Sequence, residues 1–84
     1  MALTTRSFAY GGHNFTIDHN LLGSTDVFCD GQKVASGGGF FEVIHAFWKQ
    51  NENGSIVTYE IEERTGLVDS HYTVRREGVI IFQS

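Results

Sequence analysis

The chain has 84 residues, 40% of them hydrophobic, with ten glycines, no proline and a formal charge of −4 from six Lys/Arg against ten Asp/Glu. That is the length of one domain, residues 1–84; it is too apolar and too weakly charged for disorder, and no apolar run approaches the ~18 residues of a membrane span. Six scattered cations do not form the positive patch that a phosphate backbone needs, so neither nucleic acid nor a membrane is an expected partner.

Phe8 and Tyr10 flank Ala9, Gly11-Gly12 follows, and then Phe15, Ile17 and His19 alternate with Asn14, Thr16 and Asp18. Period two on either side of two glycines, which can both take positive φ, predicts a hairpin. A looser link over 20–24 leads to a strand over 25–29, the type I′ signal Asp30-Gly31 and a returning strand over 32–35. Gly37-Gly38-Gly39 has no side chains to pack and is expected to be flexible.

Residues 40–48 are the most apolar stretch. Phe41, Val43, His45 and Phe47 would share one face of a strand, and Phe40, Ile44, Ala46 and Trp48 the other. Helix over 42–50 is the competing assignment. The aromatic content, the short length and the turn residues at both ends favour strand. A turn is expected over 51–54, and then Val57, Tyr59 and Ile61 point inward while Thr58, Glu60 and Glu62 point outward. The chain turns again over 64–66. Tyr72 and Val74 then oppose His71, Thr73 and Arg75, and Glu77-Gly78 turns the chain into a last strand over 79–83. About eight strands with a turn every 8–12 residues predict an all-β, antiparallel β-sandwich of seven to eight short strands joined mainly by tight Gly-containing hairpins. No internal repeat stands out.

One thiol, Cys29, cannot make an internal bridge, and small secreted domains usually carry several. A cytoplasmic setting is therefore expected, and no signal peptide. The initiator-like Met1 favours a whole protein over a fragment.

The run Tyr10-Gly-Gly-His-Asn-Phe-Thr-Ile17, then Asp26-Val-Phe-Cys-Asp-Gly-Gln-Lys-Val34 and Phe40-Phe-Glu, resembles the β-domains of the Fas apoptotic inhibitory molecule (FAIM) family. The stretch His71-Tyr-Thr-Val-Arg-Arg-Glu-Gly-Val-Ile-Ile-Phe82 is similar to that family's final hairpin. The likeness runs from about residue 8 to residue 82, with residues 26–34 its strongest piece. It implies a compact antiparallel sandwich in a cytosolic, non-enzymatic protein associated with protection from cell death and with protein-quality stress. The family carries two such domains in tandem, whereas this chain has one. No functional residue carries across.

Four histidines, His13, His19, His45 and His71, and Cys29 show none of the close spacings of structural zinc sites. Distant strands can still converge, so a small ligand- or metal-binding domain using His19, His45 and Cys29 is the alternative function. Cys29 as a nucleophile, with a histidine and Asp30, is the weakest reading: no nucleophile-elbow motif is present, and Asp30 is explained by its turn. Glu60, Glu62 and Glu63 fit an exposed solubilising face, with Arg75 or Arg76 across the hairpin. No cofactor is expected, because Gly37-Gly38-Gly39 lacks the Lys-Ser/Thr and helix start of a phosphate loop. The leading expectation is a non-enzymatic domain acting through protein–protein contact or self-association, with Phe40, Phe41, Phe47 and Trp48 as the contact residues.

Overall fold

The computed structural model describes residues 2–20, 24–38, 45–65 and 70–84. Those residues form eight strands: β1 (Ala2–Tyr10), β2 (His13–Asn20), β3 (Ser24–Cys29), β4 (Gln32–Gly38), β5 (His45–Glu52), β6 (Ser55–Thr65), β7 (Ser70–Arg76) and β8 (Val79–Gln83). The chain divides into two compact units, residues 1–42 and 43–84. The first carries a four-stranded antiparallel sheet in the order β1-β2-β3-β4, and the second another in the order β5-β6-β7-β8. The expected all-β antiparallel chain of eight strands is what forms. Among the described residues there is no helix long and apolar enough to cross a membrane.

The turns explain why the chain folds back where it does. Gly11-Gly12, Asp30-Gly31, Asn53-Gly54 and Glu77-Gly78 each have positive φ at both residues. The flanking residues pair directly: Tyr10 with His13, Cys29 with Gln32, Glu52 with Ser55 and Arg76 with Val79. Each is thus a two-residue type I′ connection, whose twist matches that of the strands it joins. Glycine follows at the second position every time. The first position is held by glycine, Asp30, Asn53 and Glu77, and glutamate is the least suited of these to a left-handed backbone.

Alternation then assigns the faces. In the first sheet Phe15, Ile17, Thr25, Val27 and Cys29 are buried; in the second, Trp48, Val57, Tyr59, Ile61, Glu63, Tyr72 and Val74 are. Three expectations need correcting. Gly37 and Gly38 are paired strand residues opposite Thr25 and Ser24, because an extended ladder needs only their backbone groups. Strand β5 continues through Asn51 and Glu52, so the turn is two residues and not four. Glu63 does not join Glu60 and Glu62 on the outer face; one residue further along a strand, it points the other way and is 3% exposed.

Although the sequence shows no repeat, the two sheets share one plan of hairpin, link and hairpin. In both second hairpins the returning strand carries one extra residue at the third position after the turn, Val34 opposite the Val27/Phe28 step and Ile81 opposite the Val74/Arg75 step. In both, the first turn residue clamps the neighbouring strand with backbone and side chain together. Asp30 N donates to Asn14 O (2.8 Å) and its Oδ1 accepts from Asn14 N (2.9 Å). Glu77 N donates to Thr58 O (2.9 Å) and its Oε2 accepts from Thr58 N (3.1 Å).

Candidate functional site

Three groups of side chains stand out, one at a corner of the first sheet and one on each face of the second.

On the outer face of the second sheet, the pairing aligns Phe47, Glu60, Arg75 and Ile80 in one cross-strand row, with His45, Glu62 and Thr73 in the next. Arg75 Nη1 donates to Glu62 Oε1 and lies 3.5 Å from Glu60 Oε1, as the outward placement of these carboxylates anticipates. That bond holds the Glu62 carboxyl below the usual carboxylate range and raises Arg75 above its ordinary value. His45 Nε2 bonds Glu60 Oε2, and its ring lies 4.9 Å from that of Phe47, tilted by 43°. Phe47 is 61% exposed and Ile80 49%. Beside them runs a groove lined by Phe47, Thr58, Glu60, Glu77 and Gly78.

The inner face of the same sheet holds a polar pin. Trp48 stacks on Tyr59 with ring centres 5.2 Å apart and planes within 8°, and Trp48 Nε1 donates to Gln50 Oε1 at 2.8 Å. Tyr59 Oη donates to Glu52 Oε2, and Arg76 donates to Glu52 Oε1 through Nη2 (2.6 Å) and Nε (3.2 Å). Burial first, and the bond to Glu52 second, push the Tyr59 phenol up to about 12. These contacts tie β5, β6 and β7 together on one face of the sheet.

The third group lies at one corner of the first sheet. Cys29 pairs with Phe15, so His13, two residues before Phe15, shares the face of Cys29 on the diagonal. His13 Nδ1 donates to Asp30 Oδ2 at 2.7 Å, and Cys29 Sγ lies 4.0 Å from the same oxygen. One ligand atom from each of the three residues lies within 4.8 Å of the others. The bond from Asn14 N and, after it, that from His13 hold the Asp30 carboxyl below its ordinary value. Phe15, fully buried, stacks on Phe8 at 4.9 Å and meets the His13 ring edge-on at 6.4 Å.

Of the contact residues expected from sequence, Phe47 and Trp48 do not share a surface. Phe47 and Trp48 are neighbours along a strand and therefore face opposite ways, Phe47 outward and Trp48, 7% exposed, inward. Phe40 and Phe41 lie outside the described residues. The expected ligand set is also divided. His19 Nδ1 is 3.1 Å from Thr25 Oγ1, its register partner; Cys29 stands with His13 and Asp30; His45 stands with Glu60 and Glu62. His71 Nδ1 donates to Ser84 O at 3.2 Å. His13 was the ligand-type residue that spacing missed, because its proximity to Cys29 depends on the β2–β3 register.

Chemically the two ligand groups differ. In His45, Glu60 and Glu62 the Arg75 guanidinium already occupies both carboxylates, so a divalent cation there meets a fixed positive charge. The His13, Cys29 and Asp30 group has, among the described residues, no lysine or arginine paired with its carboxylate. It also does not have the layout of a nucleophilic triad: Cys29 is 8% exposed and a carboxylate stands beside its sulfur, where an attacking thiol needs an open approach. Comparison of the chain with protein-family models, curated proteins and solved structures found no match.

Proposed function

We propose that the chain is a non-catalytic binding module that takes a segment of a partner protein on the outer face of β5–β8. The observation that carries this reading is Phe47, an aromatic 61% exposed at the wall of a groove, in one row with the half-exposed Ile80. An exposed aromatic beside ordered polar groups is the usual make-up of a contact surface. The groove is lined by two carboxylates, Glu60, which Arg75 and His45 already engage, and Glu77. Its matching occupant is a cationic side chain that lies over the Phe47 ring with its charge toward the Glu77 carboxylate. The chain's net charge of −4 steers basic segments toward it. The FAIM-like residues 10–17, 26–34 and 71–82 support a cytoplasmic role in stress protection or cell-death regulation.

The test is a heteronuclear NMR titration of the whole chain with two flexible peptides, one alternating Lys and Gly and one alternating Asp and Gly. The Lys peptide shifts the amides of Phe47, Thr58, Glu60, Glu77 and Gly78, the Asp peptide does not, and Phe47→Ala removes the response. Equal shifts with both peptides, or none at these five positions, overturn the reading.

A further inference from the structure

We infer that His13, Cys29 and Asp30 form a binding site for a thiophilic divalent metal ion of the zinc class, at the corner of the first sheet where the two I′ turns of that sheet place them together. The ligand chemistry selects the ion. A thiolate, an imidazole and a carboxylate suit zinc-class metals, whereas calcium and magnesium take oxygen donors alone. Three protein ligands with a fourth position open to solvent is the coordination of non-structural zinc sites.

The geometry is close to what such an ion needs. Donors arranged tetrahedrally at zinc distances of ~2.0–2.3 Å are roughly 3.4–3.6 Å apart. Here the three donor atoms are within 4.8 Å of one another, and Asp30 Oδ2 already stands 2.7 Å from His13 and 4.0 Å from the sulfur. A metal replaces the proton between His13 and Asp30, opening that pair by under 1 Å and drawing the sulfur in by a similar amount. Binding releases that proton and the thiol proton to solvent, as ligation by a thiolate requires.

The surroundings provide support and access. Asp30 is held by the clamp to Asn14 through its other oxygen, Oδ1, so Oδ2 is the one turned toward the thiol and imidazole. Buried Phe15, stacked on Phe8, backs the His13 ring. The His13 and Asp30 side chains are 38% and 49% exposed, so two of the three ligands meet solvent directly.

Cobalt(II) titrated into the reduced full-length chain tests the site, since a cobalt–thiolate bond gives a near-ultraviolet charge-transfer band that oxygen and nitrogen ligands do not. The expected result is that band saturating at one cobalt per chain and being bleached by one equivalent of zinc. His13→Ala and Asp30→Asn weaken cobalt binding by at least the ~10–100-fold that loss of a metal site's supporting partner costs. Cys29→Ser abolishes the band. Asn at position 30 tolerates positive φ and still offers an oxygen to Asn14, and His13 is partly exposed, so both variants keep the fold even if Cys29→Ser does not. His45→Ala, at the other ligand group, leaves the titration unchanged. Absence of the band, or a band undiminished in both His13→Ala and Asp30→Asn, overturns the site.

Discussion

The two sheets are the same backbone plan filled with different chemistry. Both are two I′ hairpins joined by a link, and both have an extra residue at the third position after the second turn and a clamp from that turn to the neighbouring strand. They differ in register by two residues. Cys29, the last residue before its turn, pairs with the third residue of β2, whereas Arg76 in the same place pairs with the fifth residue of β6. A shift of two keeps every side chain on its face and changes only who meets whom. With the first sheet's register, Arg75 would stand opposite Thr58 and the pin between Arg76 and Tyr59 would not form. The lesson is that the turns set the architecture, and the links between hairpins set the chemistry.

The largest expected effect tests the apolar faces. Phe15→Ala empties a fully buried ring site stacked on Phe8 and costs about 3–5 kcal/mol in urea unfolding. If Phe15→Ala costs under ~1 kcal/mol, that face is not a packed core.

The polar pin belongs to the second sheet alone. Tyr59→Phe removes a buried hydroxyl that donates to a carboxylate and costs about 1.5–3 kcal/mol by the same measurement. The phenol also fixes an alkaline limit. Its pKa is raised to about 12 from the ordinary phenol value of 10.0, so the stability it contributes is complete below pH 10 and is lost as pH rises through 12. Ultraviolet titration of the native chain against Tyr59→Phe should show one phenol ionising near pH 12; ionisation of that phenol near 10 would remove the pin.

The clamps sharpen the comparison, because the same turn position holds a good left-handed residue in one sheet and a poor one in the other. Glu77→Asn relieves the strain of a glutamate at φ 49° and raises stability by up to about 1 kcal/mol, while Asp30→Glu at φ 52° lowers it. Equal effects of both swaps would mean the two turns do not share one conformation.

The smallest effect is in acid. The Asp30 carboxyl is held below its ordinary value of 3.8, chiefly through the bond from Asn14. Its contribution is therefore fully present above pH 3.8 and lost as pH falls through the depressed value. Between pH 6 and pH 2 the wild-type urea midpoint should fall further than that of Asp30→Asn, the two curves converging in acid. Parallel curves would show that the carboxylate charge does not support the clamp.

Much of this was legible along the chain. Gly11-Gly12, Asp30-Gly31 and Glu77-Gly78 announce their turns because positive φ is a property of two adjacent residues. The inward set Val57, Tyr59 and Ile61 follows from period two alone, as does the outward placement of Glu60 and Glu62 against Arg75. Glu63 was missed because three glutamates within four residues resemble a solvated face, although the same alternation that places Ile61 inward places Glu63 inward. The opposite facing of Phe47 and Trp48 also follows from period two, so grouping them as one contact surface set apolar composition above parity.

By itself the sequence determined the all-β class, the positions of the tight turns and the face to which most described residues belong, since each rests on conformational preferences within a few residues. Only the tertiary structure decided that His13 would stand beside Cys29 and Asp30, that Arg75 would join two carboxylates and that Tyr59 would meet Arg76. Those meetings depend on the register between hairpins, and a strand slipped by two residues keeps its pattern of faces, so nothing local distinguishes one register from the next.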